Sequence, residues 1–347
     1  MNYVPWEEKL KANMNNNNMI DKTLNPKLFE KDVEQVPTRQ GYGEGLVAAG
    51  ENDKNVVVLC ADLTESTRSI LFKEKFPERF IEVGVAEQGM ATIAAGMANY
   101  GKVPFISSYA AFSPGRNWEQ IRTTIALNDV PVKIVGAHAG VSVGPDGATH
   151  QMLEDIALMR AMPNMIVIYP CDSVEAKKAT VAAAKNGKPT YIRLAREKTP
   201  VMTTEETPFE IDKAKVFWES KSPQVTIIAA GPLVFEALVA ARELKNSEIE
   251  VEVINSPTIK PLDERTIISS VKKSGAVVTV EEAQITGGLG GAVSEVLSRN
   301  LPTPQEFIGM QDSFGESGQP DELLEKYGMK SHHIVEAVKK VISRKNS

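Results

Sequence analysis

Between residues 56 and 194 short apolar runs alternate with helical stretches of roughly 10 to 15 residues, and this rhythm constrains the fold more than any other feature of the chain. The runs lie at 56–60 (VVVLC), 80–83, 103–107, 132–137, 165–169 and 190–194. Near-continuous apolar runs separated by helices imply parallel strands covered on both faces. A second series at 225–230, 250–254, 276–280 and 306–309 repeats the pattern. Between the two series, 199–223 is charged and broken by proline (TPVMTTEETPFEIDKAK onward to KSP), as an interdomain linker would be. The expectation is therefore α/β, two consecutive domains with mainly parallel sheets at 38–199 and 224–347, joined by a linker at 200–223. An N-terminal extension, 1–37, carries the Asn15 to Asn18 run and is expected to be partly disordered.

Composition closes off several classes of function. The formal net charge of -6 over 347 residues leaves no basic footprint for nucleic acid or for an anionic membrane surface. No run of 18 apolar residues offers a membrane span, and no apolar leader opens the chain. Cys60 and Cys171 fall in separate apolar runs, so they read as reduced core residues of a cytoplasmic protein. Gly41, Gly43 and Gly45 follow no apolar strand and are not a dinucleotide fingerprint. Thr38 is a plausible helix cap before them.

Two segments carry chemistry. In IEVGVAEQGMATIAAGMAN, 81–99, a short strand leads through a tight turn into a helix of small residues, with Glu87 at its mouth. Small side chains admit another backbone or a flat ligand closely. The helix dipole alone also favours a glutamate at this position. In GAHAGVSVGPDGATHQ, 136–151, a strand opens into a glycine-rich loop with His138, Asp146 and His150, two of the chain's four histidines. Titratable groups on such a loop suit proton transfer or hydroxyl recognition. A metal site is disfavoured, because no thiolate or third imidazole lies nearby to complete the ligand set. The turn at 287–291 (GGLGG) opens a helix and fits a tight strand-to-helix connection better than an anion site, since no P-loop lysine accompanies it.

With the G-V-A-E-Q turn and the loop H-A-G-V-S-V-G-P-D-G-A-T-H-Q in view, the chain resembles the thiamine-diphosphate enzymes of the transketolase type, from about residue 36 nearly to its end. The resemblance implies that Glu87 hydrogen-bonds N1′ of the cofactor's aminopyrimidine ring and so promotes loss of the thiazolium C2 proton. It implies that Tyr109 and Phe112 of PFISSYAAF stack on that ring, a role for which plain core packing is the alternative. His138 would lie near the thiazolium and the ketose, Asp146 would read a hydroxyl, and His150 would contact substrate oxygens and move protons. Arg39 of PTRQ, Ser66 and Asp62 of ADLTES, and Arg196 of YIRLAREK map to the substrate-phosphate side, with Asp62 also counted toward the cofactor. Guanidinium forks match phosphate oxygens well, although for any one of these arginines taken alone a surface ion pair is the better reading.

Three departures qualify the resemblance. Gln88 stands where a histidine is usual, and Ser113 to Arg116 lacks a further aromatic. No G-D-G followed by a spaced asparagine, the family's ligand set for Mg²⁺ and the diphosphate, occurs anywhere. The chain therefore reads as the C-terminal subunit of a split transketolase. A partner N-terminal subunit with the diphosphate-binding domain would hold most of the Mg²⁺ and complete the thiamine diphosphate site. Self-association through the pyrimidine-binding domain is also expected, and phosphorylated sugars are the implied substrates. The competing readings are a 1-deoxyxylulose-5-phosphate synthase-like or apulose-4-phosphate-type subunit, a 2-oxoacid dehydrogenase beta subunit, and a non-catalytic binding module.

Overall fold

The computed structural model describes residues 19–345. The Asn15 to Asn18 run lies outside them. A seven-stranded sheet has the order Thr258–Lys260, Ile166–Ile168, Thr190–Arg193, Lys133–Ala137, Val103–Tyr109, Val56–Cys60, Phe80–Glu82, and all neighbours in it are parallel except the first pair. A five-stranded sheet follows in the order Gln305–Met310, Val277–Gln284, Val225–Ala229, Val251–Asn255, Lys215–Trp218, antiparallel only at the last pair. Every residue of Val56–Cys60 and of Lys133–Ala137 is buried, which is why those runs lack polar alternation. Cys60 and Cys171 are free and buried. Among the described residues no helix is long and apolar enough to cross a membrane.

The segment read as a linker at 200–223 contains Lys215–Trp218, the antiparallel edge strand of the second sheet, with Phe217 and Trp218 buried. Its four residues are too few to show a period among the surrounding charges. Just before it, Lys198–Pro200 pairs antiparallel with Gln35–Pro37 and clips the entry of the first domain to its exit. The extension upstream is anchored too, because Leu24 and Leu28 are buried and Ile20 bridges to Trp218. Thr258–Lys260 crosses from the second domain to the edge of the first sheet, so the two domains share a strand ladder.

One local expectation needs correction. Thr38 is not the cap: Pro37 precedes the helix Thr38–Asn52 without a side-chain bond, and the buried Thr38 hydroxyl exchanges bonds with Ala195, donating to its carbonyl at 3.3 Å and accepting from its N–H at 2.9 Å. The hydroxyl thus ties the helix start to the end of a central strand. The glycines that follow serve packing, since a Cβ on Gly41 would lie 1.7 Å from the Ser173 carbonyl oxygen of the neighbouring helix Ser173–Lys185. At the 287–291 turn the anion position is filled from within. The Glu281 carboxylate accepts from the N–H groups of Leu289 at 2.7 Å and Gly290 at 2.8 Å.

Candidate active site

The carboxyl ends of four adjacent strands converge on one side of the first sheet. Asp62 follows Val56–Cys60, Glu87 follows Phe80–Glu82, Tyr109 ends Val103–Tyr109, and His138 follows Lys133–Ala137. Open α/β sheets bind ligands at this end.

Glu87 begins the helix Glu87–Asn99 and is 2% exposed. Its Oε2 accepts from Arg116 Nη1 at 2.7 Å, and its backbone carbonyl accepts from Asn117 Nδ2 at 3.0 Å. Among the described residues no group donates to Oε1. The Arg116 guanidinium also lies over the Phe112 ring at 4.7 Å, so it joins the carboxylate to the aromatic groups.

Those groups form a compact set. The Tyr109 ring stacks on His138 with centroids 3.8 Å apart and on Phe112 at 6.0 Å. The His150 ring stands edge-on to Phe112 at 5.5 Å and to Tyr109 at 6.2 Å. His138 takes a left-handed backbone, φ 56°, and its Nδ1 is buried without a partner. Desolvation first, then the charges of Arg39, Arg196 and His150, push its pKa down to about 3, so it is a neutral imidazole at working pH. A neutral ring with an unmatched buried nitrogen is suited to hydrogen-bond a ligand rather than to supply charge.

The loop that carries both histidines is braced by the second domain. The Ser142 N–H donates to Glu282 Oε1 at 2.6 Å. The Gln151 amide donates to the carbonyls of Val141 at 3.1 Å and Gly144 at 3.2 Å within the loop, and to that of Glu316 at 2.9 Å across the domain boundary. Arg193, fully buried, donates to Asp155 Oδ2 at 2.8 Å and to the Glu282 carbonyl at 2.9 Å. His150 Nδ1 meets Thr149 Oγ1 at 2.9 Å, and Asp146 lies exposed on the same loop. No contact among the described residues joins Asp146 to either histidine.

Asp62 is exposed with φ 59°, and Glu82 positions it: Glu82 Oε1 accepts from the Asp62 N–H at 2.8 Å and the Gly84 N–H at 3.0 Å, while Oε2 accepts from Thr64 at 2.9 Å. Arg39 Nη1 donates to the Ser66 carbonyl at 2.8 Å, and its Nε is buried without a partner. Arg196 donates to the Val143 carbonyl at 2.8 Å and pairs with Glu197 at 3.0 Å. Burial, then the neighbouring Arg68 and Arg196 cations, lower the pKa of Arg39, which places the three guanidiniums in one field.

Sequence reasoning missed Arg116, Arg68, Gln151 and Glu282 as parts of this site. Arg116 left a local signal, a lone cation four positions after Phe112 in an otherwise uncharged loop, and Gln151 closes the recognised histidine loop.

Residues 34–202 match the family model for the transketolase pyrimidine binding domain, and residues 213–334 match that for the transketolase C-terminal domain. A protein of Methanocaldococcus jannaschii described as a transketolase C-terminal section is 46% identical over 303 residues, covering 86% of this chain and 94% of that one. The chain belongs to the transketolase family. A 6-deoxy-6-sulfo-D-fructose transketolase subunit of Clostridium sp. is 39% identical over 92% of this chain and 98% of its own length. The solved structure of a split-gene transketolase, an inactive beta4 tetramer, superposes with a TM-score of 0.83 at 41% identity, covering 89% of this chain and 99% of that chain. Other transketolase relatives are longer, and this chain covers 50% to 56% of their length.

Thiamine diphosphate is the cofactor of the transketolase family, and one end of it fits the residues present. Glu87 keeps one carboxylate oxygen to which no described residue donates, and Arg116 joins that carboxylate to Phe112, on which Tyr109 stacks. His138 adds an unmatched nitrogen. These groups suit a flat aminopyrimidine with its own donors and acceptors.

Proposed function

We propose that this chain is the C-terminal subunit of a split, thiamine-diphosphate-dependent transketolase that moves a two-carbon ketol unit from a ketose phosphate to an aldose phosphate. The observation that carries this reading is the linked set Glu87, Arg116, Phe112, Tyr109, His138 and His150, with Arg39 and Arg196 beside it. When bound, thiamine diphosphate supplies the nucleophilic C2 carbon and the electron sink for ketol transfer. Glu87 hydrogen-bonds the aminopyrimidine through its free oxygen. Tyr109 and Phe112 hold that ring in plane and exclude water. Neutral His138 accepts from or donates to substrate oxygens without competing for the phosphate, and His150, half-exposed at the mouth, exchanges protons with substrate hydroxyls. Asp146 reads a hydroxyl stereocentre, and Asp62 borders cofactor and substrate. Arg39, Ser66 and Arg196 take the terminal phosphate, Ser66 through a hydroxyl that no described group engages.

The chain offers no ligand spacing for Mg²⁺ and a diphosphate, so a partner subunit with the diphosphate-binding domain supplies it. The outer face of Glu87–Asn99 suits subunit contact. Gly89 and Gly96 have nothing within 4 Å of an added Cβ, while Ile93 and Tyr100 are 47% and 91% exposed. We place the working complex in the cytoplasm. The test is reconstitution: mixing the purified chain with a diphosphate-domain subunit, Mg²⁺ and thiamine diphosphate should give ketol transfer between sugar phosphates. A 2-oxoacid dehydrogenase activity from the same mixture, with none toward sugars, would overturn the assignment.

A further inference from the structure

Resting on the reading of this site as one for phosphorylated sugars, we propose that Arg68 is a third guanidinium of the substrate's anion pocket and makes it selective for a doubly charged phosphate end over a singly charged sulfonate end. Arg68 sits two residues beyond Ser66, whose carbonyl is held by Arg39 at 2.8 Å. Its backbone is pressed onto the Arg39 helix, one turn along, at Gly43. A Cβ there would lie 2.6 Å from the Arg68 carbonyl oxygen and 3.0 Å from the Arg68 Cβ, so only glycine admits the approach. The residue is held in a left-handed conformation, φ 64°, which a non-glycine residue adopts at some cost.

Its side chain is not neutralised. Arg68 Nε is buried without a hydrogen-bond partner, as is Arg39 Nε, and among the described residues no carboxylate pairs with either. Glu197 pairs with Arg196, and its charge also reaches Arg39. Three clustered guanidiniums with one acid leave two positive charges in excess, with unmatched donors, and that is the complement of a dianion. The pocket is also polarised along its length. The charges that reach His138 are those of Arg39, Arg196 and His150, whereas Arg68 acts on Arg39. By geometry Arg68 stands on the Arg39 side of the pocket, two residues from the Ser66 carbonyl that Arg39 holds and against Gly43 of the Arg39 helix.

A phosphate monoester has its second pKa near 6 and is mostly dianionic above neutrality, while an alkyl sulfonate carries one charge. The Clostridium relative named for a 6-deoxy-6-sulfo sugar makes the contrast pertinent.

The experiment uses the reconstituted enzyme at pH 7.5 and compares KM for a pentose 5-phosphate, its 5-sulfonate isostere and the neutral pentose. The substitution is Arg68→Asn, because asparagine tolerates the left-handed backbone. It should shrink the phosphate-over-sulfonate preference by about tenfold, and Arg68→Lys should recover most of it. A preference unchanged in Arg68→Asn, while Arg39→Gln or Arg196→Gln lowers the phosphate-over-neutral preference, overturns the role of Arg68 and leaves the phosphate reading standing. If none of the three arginines affects the phosphate-over-neutral preference, the phosphate reading itself fails. Inhibition of the unmodified enzyme gives a second measure, independent of how the variants fold. Methyl phosphate should compete at least tenfold better than methanesulfonate, and equal inhibition overturns the proposal.

Discussion

Arg116 Nη1 lies 2.7 Å from Glu87 Oε2, and the pair is asymmetric: the carboxylate is 2% exposed and the guanidinium side chain 45%. A nearly buried anion is thus neutralised by a cation that still faces solvent, on the loop after a different strand. Removing the cation strands the anion. Arg116→Leu should lower stability by about 1–2 kcal/mol, below the range for a fully buried pair because the guanidinium is half wet. In the Glu87→Gln background the same change should cost less, with a coupling of about 1 kcal/mol in a double-mutant cycle followed by urea unfolding. Additive losses would mean that the pair does not hold the carboxylate.

Glu87→Gln taken alone keeps a hydrogen-bonding group of the same shape opposite Arg116 but cannot relay a proton. Folding should survive with a change of about 1 kcal/mol or less. Exchange of the thiazolium C2 proton in the reconstituted complex, followed by NMR, should slow by roughly 10²–10⁴-fold. A near-wild-type exchange rate would remove Glu87 from the role proposed for it.

His138 makes the fold sensitive to acid. Its folded pKa of about 3 lies below the ordinary value of 6.5, so between those limits the unfolded chain takes up the proton and the folded chain does not. The stability associated with the neutral ring is complete above about pH 6.5 and is lost as pH falls toward 3. At pH 4.5 the loss amounts to about 3 kcal/mol. His138→Phe keeps a flat ring against Tyr109 and removes the titration, so its urea midpoint should change less between pH 7 and pH 4.5 than that of the unmodified chain. An equal change in both would place the acid sensitivity elsewhere.

The alternation of buried runs was legible because parallel strands covered on both faces must be apolar throughout, as in Val56–Cys60. His138 and His150 were legible because their loop follows such a strand, Lys133–Ala137, and Glu87 because it opens a helix of small residues after a tight turn. Lys215–Trp218 and Thr258–Lys260 were not, since short edge strands are defined by partners far along the chain. The same distance hid the contacts of Arg116 and Arg68, on segments whose approach to Glu87 and Arg39 is set by the sheet order. Gln151 stood within the recognised loop, yet its bond to the Glu316 carbonyl needs the second domain in place.

The central claim is that this chain holds half of a cofactor site, and calorimetric titration of the purified chain with thiamine diphosphate and Mg²⁺ tests it most directly. One carboxylate hydrogen bond and ring stacking leave the diphosphate largely unneutralised, so the chain alone should show no binding tighter than about millimolar, and adding a diphosphate-domain subunit should bring micromolar binding together with turnover. Micromolar binding and ketol transfer by the single chain, with no second polypeptide, would contradict the account.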